Sequence, residues 1–325
     1  MRAAMVRAYG PPESITVEDL PDLEPGPGEV VVDVQAASIN YPDVLIAANQ
    51  YQVSVPPPFT PGSEFAGTVR SVGDGVTSVA PGDRVVGSTF VGAFAEQVKV
   101  PAASLHPIGP DLDVVSASAY RVTYGTAYHS LRSVAEVQPG EWVTVLGAAG
   151  GVGSASIDIA HVLGAKVLAA ASSPEKLAAC QARGAEALVD YEHDDLKARI
   201  KELTGGGTDV VIDPVGGRYA EEALRSTRWG GRFVTVGFAS GEIPRIPLNL
   251  VLLKGVIIKG FEMRTFGQHA PELQRRDEAE LLALVEQGRI RPLVSSVHPL
   301  SRVSDALLEV AERRAVGKVV IDTTS

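Results

Sequence analysis

The chain has 325 residues, 45% hydrophobic and 21% charged, enough apolar material for roughly two domains of about 150 residues each. Its formal charge of -10, from 29 basic and 39 acidic residues, argues against nucleic-acid and anionic-membrane partners. A single cysteine excludes an internal disulfide framework and any zinc site that needs two cysteines.

The N-terminus, Met1-Arg2-Ala3-Ala4-Met5-Val6-Arg7, lacks the apolar run of a signal peptide, and a cytoplasmic protein is expected. Residues 30–34 and 67–72 are short β-branched runs bounded by turn clusters such as Glu24-Pro25-Gly26-Pro27-Gly28 and Pro81-Gly82-Asp83. They predict an irregular β domain. Pro56-Pro57-Pro58 fits neither a helix nor a central strand and predicts a rigid loop.

Near residue 115 the rhythm changes. Apolar strands at 143–146, 167–170, 187–189, 210–212, 233–236 and 256–258 alternate with helix candidates starting near Gly151, Pro174, Asp194, Arg218 and Asn249. Ser173 before Pro174 and Glu175 is a good N-cap. Six strands so spaced predict an α/β unit, a doubly wound parallel six-stranded sheet with helices on both faces. The most apolar stretch, 143–171, holds Asp158, His161 and Lys166, so no membrane span is expected there. Beyond about residue 264, amphipathic helices are predicted at 278–287 and 304–314. The strand Gly317-Lys318-Val319-Val320-Ile321 closes the pattern. No helix follows to extend the parallel sheet, so this strand is expected to rejoin the N-terminal β domain and make it discontinuous.

Val143-Thr144-Val145-Leu146 leads into Gly147-Ala148-Ala149-Gly150-Gly151-Val152-Gly153 and then a helix. The loop reads A-x-G-x-x-G, with Ala148 in place of the first glycine. Gly150 would let the backbone approach a pyrophosphate. Gly153 would let the helix pack on the strand. The first helical N–H groups, from Gly151 and Val152 onward, would bind phosphate. The alternative is a tight turn with no ligand; the position after the first of six strands favours the ligand. An NAD site wants an acid at the end of the second strand. That strand instead ends in Ser172-Ser173, with Lys176 close by. These side chains suit a 2′-phosphate, so NADPH is expected over NADH, although Lys176 also reads as a solvated helix residue.

Four motifs, Ala37-Ser38-Ile39-Asn40-Tyr41-Pro42-Asp43, Pro61-Gly62-Ser63-Glu64-Phe65-Ala66-Gly67, Gly82-Asp83-Arg84-Val85 and the Ala-Ala-Gly-Gly-Val-Gly loop, resemble the medium-chain dehydrogenase/reductase superfamily. The match is to its zinc-independent quinone oxidoreductases, the zeta-crystallin-like family, over essentially the whole chain. The resemblance implies a GroES-like β domain from residues 1–118 and 265–325, with a Rossmann domain at 119–264 inserted in it. It also implies an active site in the cleft between them and a homodimer built through the Rossmann sheets. Zinc-dependent members place a cysteine near Ser38, a histidine near Ser63 and four cysteines in a structural lobe; here only Cys180 exists, read as an inert buried thiol. The six histidines show no short ligand spacing, and His129 is read as packing.

The resemblance thus implies NADPH-dependent, zinc-free hydride transfer to a quinone or an α,β-unsaturated carbonyl. Hydrogen-bond donors must then stabilise the oxyanion. Asn40 is the leading donor and Tyr51 a second donor or proton source; Asp43 completes the catalytic set by orienting the loop rather than reacting. Local turn capping is the other reading of Asn40, and a surface aromatic that of Tyr51. Thr123 matches a family position near the nicotinamide. Gly237, Phe238 and Phe261 follow the fifth and sixth strands, where ligands sit, as backbone contacts or as hydrophobic walls. Tyr191 suits adenine stacking. Arg313 matches a loosely kept family arginine, with Arg314 beside it as the other choice; a solvated helix end is the alternative reading of either. Asp213, after the fourth strand, is read as structural. An enoyl-thioester reductase shares the asparagine-to-tyrosine spacing and is the alternative enzyme. A non-catalytic NADPH-binding protein with a structural, sensing or RNA-binding role is the alternative from another class.

Overall fold

A computed structural model describes all 325 residues. The chain divides into two compact units, Met1–Val122 with Arg291–Ser325, and Thr123–Ile290.

In the first unit β1 (Arg2–Met5) and β2 (Thr16–Asp19) form a separate antiparallel ribbon. β3 (Glu29–Ile39) is buried along most of its length, because β4 (Glu64–Val72) and β6 (Gln97–Pro101) both pair with it. Between β3 and β4 lies α1 (Tyr41–Ala47), which starts at Asn40 and takes Pro42 into its first turn. β5 (Arg84–Ser88) and β7 (Leu105–Pro107) continue the sheet, and α2 (Val114–Ala117) is capped by the Asp113 carboxylate on Val115 and Ser116.

The second unit opens with α3 (Thr123–Tyr128) and a π-helical turn, His129–Val134. Strands and helices then alternate. They are β8 (Trp142–Leu146), α4 (Gly151–Val162), β9 (Lys166–Ala171), α5 (Pro174–Ala182), β10 (Ala187–Asp190), α6 (Leu196–Leu203), β11 (Thr208–Asp213), α7 (Arg218–Ser226), β12 (Thr227–Thr235), α8 (Leu248–Lys254) and β13 (Ile257–Gly260). The sheet is parallel throughout, in the order β10-β9-β8-β11-β12-β13. This is the predicted doubly wound six-stranded sheet. β8 sits where the winding changes direction, the usual ligand position of such sheets. Ser173 caps α5, as expected, by accepting from Lys176 N.

Two helices follow, α9 (Met263–His269) and α10 (Pro271–Glu286). The sequence expectation gave residues 265–290 to the first unit and 119–122 to the second; the units instead change at Val122 and Ile290. The reason is side-chain docking of α10 on the start of the second unit. Tyr128 Oη donates to Glu280 Oε2 at 2.7 Å, and the buried His129 Nδ1 and Asp277 Oδ2 lie 2.9 Å apart. α10 also begins at Pro271, earlier than the predicted 278.

Back in the first unit come β14 (Val294–Pro299), α11 (Val303–Ala311) and β15 (Lys318–Asp322). The sheet runs β14-β15-β3-β4-β5-β7, with β6 also on β3. β15 lies antiparallel to β3, Val320 opposite Ser38, so the closing strand does rejoin the N-terminal β structure. Val30, Val32, Phe65, Phe94, Leu307 and Ile321 form its core. No helix is long and apolar enough to cross a membrane.

Candidate active site

In the first unit, three strand ends bring charge together. Register sets Ser38 of β3 opposite Glu64 of β4, and Lys318 stands one residue before Val319, the partner of Ile39. The Lys318 ammonium donates to Ile39 O (2.9 Å), Asn40 Oδ1 (2.6 Å) and Glu64 Oε1 (2.8 Å). Ser38 Oγ also donates to Glu64 Oε1, and Val122 N donates to Glu64 Oε2 at 2.9 Å. Lys318 and Glu64 are both buried. Burying an ion pair is costly unless its remaining groups are satisfied, and here each has several partners.

Asn40 caps the start of α1 and is itself buried. Its amide nitrogen points to Ser63 Oγ (3.2 Å) and Glu64 Oε1 (3.1 Å), while its oxygen accepts from Lys318. An amide has two N–H donors, and both are directed into the network. Its local role is thus larger than turn capping.

Asp43 is 1% exposed. Its Oδ2 accepts from Asn40 N at 2.7 Å, which ties the start of α1 as expected. Its Oδ1 has no hydrogen-bond partner. Burial pushes this carboxyl up to about 7, against the Asn40 N–H bond, the nearby Ser63 hydroxyl and the nearby Lys318 charge. Tyr51 is partly buried against the core of this unit, its ring 6.3 Å from that of Phe90.

These side chains do not suit a zinc ion. Nowhere do three or more His, Cys, Asp or Glu residues cluster so as to hold a metal. Around Glu64 the other groups are hydroxyls, an amide and a resident ammonium 2.8 Å from the carboxylate, a poor set beside imidazole or thiolate ligands. Cys180 lies buried in α5 of the other unit, its thiol pushed up to about 11 by desolvation.

In the second unit, β8 ends in the glycine loop. Gly147 adopts φ +58°, a conformation that favours glycine. A Cβ on Gly153 would overlap Gly147 O and Ala148 backbone atoms, so the first turn of α4 lies directly on the loop. Gly150 occupies the N-cap position with no side-chain cap. The opening N–H groups, those of Gly151, Val152 and Gly153, therefore have no capping side chain, and the 12-residue helix adds its dipole. Ala148 is fully buried, its N–H bonded to Ala170 O at 3.0 Å, so it is a packing member of the loop. Beyond β9, Lys176 Nζ donates to Ser172 Oγ at 3.1 Å. An uncapped helix start with a cation and a hydroxyl beyond the neighbouring strand suits a phosphorylated dinucleotide.

The other expected residues sort by position. Tyr191 is partly buried, its ring 4.3 Å from that of Tyr219, whose face carries Arg218 at 4.8 Å. Thr123 is buried at the start of α3. Phe238 is 39% exposed, and Gly237 N bonds to Asp213 O at 3.3 Å. Phe261 is buried, its N–H bonded to Thr235 O and its ring 5.7 Å from His129. The Phe261 backbone donor is thus occupied within the sheet. Asp213 Oδ1 accepts from Val215 and Gly216 at 2.8 Å each, and burial pushes the carboxyl up to about 6. That is the structural anchor expected of it. Arg313 belongs to the first unit, just past α11, with φ +58°.

Sequence reasoning missed Lys318 and Glu64 as partners and took Ser63 only as a missing histidine. The signal was faint: Glu64 and Lys318 each stand at the first position of a strand, just before apolar residues, and a buried lysine needs an acid.

Residues 26–110 match the alcohol dehydrogenase GroES-like domain family, and residues 151–286 the zinc-binding dehydrogenase family. The chain is similar to the quinone oxidoreductase-like protein 2 homolog of Nematostella vectensis, at 39% identity, covering 99% of this chain and 89% of that protein. Among solved structures it resembles Escherichia coli quinone oxidoreductase complexed with NADPH, with a TM-score of 0.92 and 27% identity over 99% of this chain and 100% of the other. It also resembles the quinone oxidoreductase of Thermus thermophilus, described together with its NADPH complex, with a TM-score of 0.87 and 33% identity over 99% and 100% of the two chains.

Proposed function

The chain belongs to the quinone oxidoreductase family of the medium-chain dehydrogenase/reductase superfamily, and on that footing we propose that it is a zinc-independent, NADPH-dependent reductase of quinones or α,β-unsaturated carbonyls. The observation that carries this reading is the uncapped, glycine-lined start of α4. NADPH, when bound, supplies the hydride. Gly150, Gly151, Val152 and Gly153 hold the pyrophosphate, with Ala148 supporting their loop. Ser172 and Lys176 hold the 2′-phosphate, and Tyr191 lies against adenine. Thr123, Gly237, Phe238 and Phe261 bound the nicotinamide, and Arg313 adds positive charge for the cofactor. Tyr51 donates a hydrogen bond to the substrate. Asn40 and Lys318 hold the polar network in one arrangement, and their neutral and ammonium donors take the place of metal ligands.

The experiment is NADPH consumption by the purified protein across a panel of quinones, enones and crotonyl-type thioesters, with NADH in parallel. Turnover of quinones or enones with NADPH preferred is expected. Turnover of thioesters alone would make it a thioester reductase, and tight NADPH binding without turnover a binding protein. Equal or tighter NADH binding would overturn the cofactor assignment.

The same proposal includes a cytoplasmic homodimer. Its support is the edge strand β13, which pairs only with β12 and exposes Ile257 and Ile258 beside Leu252, itself 81% exposed. An open apolar edge calls for a covering partner, and a second copy of this edge supplies one. Light scattering is expected to give a dimer, and Ile258→Lys a monomer; a wild-type monomer would remove this part of the proposal.

A further inference from the structure

We propose that Arg218 is a specificity-determining residue for the phosphorylated cofactor, acting by neutralising Glu192 beside the 2′-phosphate position. The inference deepens the cofactor reading above and rests on it.

The placement comes from the sheet. β9 and β10 run parallel with Asp190 opposite Ala171, and Tyr191 N donates to Ala171 O at 3.2 Å. The two strands therefore end side by side. Ser172 leaves one strand where Tyr191 leaves the other, and Glu192 is the next residue. Lys176 Nζ donates to Ser172 Oγ at 3.1 Å. Glu192 thus brings a carboxylate to the strand ends that carry the serine and lysine assigned to the 2′-phosphate. Unopposed, that carboxylate would repel a phosphate of about two negative charges. An acid near the ribose suits a 2′-hydroxyl instead.

Arg218 answers that charge. Its Nη2 donates to Glu192 Oε2 at 2.6 Å and to Tyr219 Oη at 2.7 Å, while Tyr219 Oη donates to Glu192 Oε1. Both carboxylate oxygens are thereby held. The Arg218 guanidinium also lies 4.8 Å from the centre of the Tyr219 ring, and that ring packs on Tyr191 at 4.3 Å. The carboxylate is therefore held on α7 through the same tyrosine that packs against the adenine-side residue.

The position of Arg218 is not explained by its own helix. It is the first residue of α7, after Gly217, which supplies no side-chain cap. A cation there opposes the helix dipole. Glu192, from a different strand–helix connection, is the partner that accounts for it. Both side chains are well exposed, so the pair adds little to folding. Its charge balance is instead felt by an anion bound within a Debye length.

The test measures binding of 2′-phospho-ADP-ribose and of ADP-ribose by calorimetry at low salt. It uses the full chain as wild type, Arg218→Gln, Glu192→Gln, the double variant and Lys176→Ala. These ligands carry the adenosine half of each cofactor and need no turnover. Arg218→Gln should weaken the phosphorylated ligand about fivefold and leave ADP-ribose unchanged, and the loss should shrink at high salt. Glu192→Gln should tighten the phosphorylated ligand, and the double variant should return close to wild type. Equal losses for both ligands, as a merely structural role would give, overturn the proposal, as does no loss in Arg218→Gln. A double variant as weak as Arg218→Gln overturns it too, since Arg218 would then act without Glu192. If wild type binds the two ligands equally, the parent cofactor assignment fails and this inference with it. If wild type prefers the phosphorylated ligand, and Lys176→Ala loses that preference while Arg218→Gln keeps it, the parent assignment stands and this inference alone falls.

Discussion

The two units solve the problem of a buried polar site in opposite ways. The first uses side chains: an ammonium, a carboxylate, an amide and hydroxyls drawn from β3, β4, β15 and the start of α1. The second uses backbone: N–H groups at the start of α4, with glycines keeping the space clear. The side-chain site must satisfy its charges internally before it can act on anything else, so it is rigid and its failure is a folding failure. The backbone site leaves its donors open, and its failure is first a binding failure.

Lys318→Met breaks the side-chain site most severely. It strands the Glu64 carboxylate and should cost about 3–5 kcal/mol by urea unfolding. Adding Glu64→Gln should recover much of the loss. A single change no worse than a surface substitution would mean that the network does not hold this unit together. Gly153→Val attacks the backbone site. Its side chain would push the first turn of α4 off the loop, costing about 1–3 kcal/mol as overpacking and removing NADPH binding by fluorescence titration. Retained affinity would break the comparison. Lys176→Ala sharpens it further. NADPH should bind about tenfold more weakly, about 1.4 kcal/mol, with NADH unchanged; an equal loss for both cofactors would move Lys176 off the 2′-phosphate.

The smallest effect concerns Asp213. Its folded pKa is raised to about 6 from an ordinary 3.8, so the folded state holds its proton longer than the unfolded chain does. Its contribution to stability is full below about pH 4 and is lost as pH rises to about 6, after which it stays flat. Asp213→Asn should remove that slope from the urea midpoint while keeping the Oδ1 contacts. A slope identical to wild type would show that the carboxyl does not titrate there.

The backbone site was the more legible in sequence. Strand, glycine loop and helix are adjacent, and the register of Gly150 and Gly153 follows from local spacing. Ser173 was readable as a cap for the same reason. The side-chain site was legible only in pieces, because Lys318 and Glu64 lie 254 positions apart. Nothing local tells an exposed lysine at a strand start from a buried one. Asn40 and Asp43 stand out in the sequence, yet the orientation of Asn40 depends on those remote partners. The unit boundary failed likewise: α10 reads as an ordinary amphipathic helix, and only His129 and Tyr128 show where it docks.

β15 has a consequence for synthesis on the ribosome. Translation delivers β3 and Glu64 early and Lys318 only after all of Thr123–Ile290 has emerged. Until then the β3 edge that β15 will cover is open, and the Glu64 carboxylate lacks its cation. The unit whose chain starts first is thus the one that finishes last, with a long loop to close before its sheet is complete. A nascent chain arrested just short of residue 318 should hold a folded nucleotide-binding unit beside a protease-sensitive β domain.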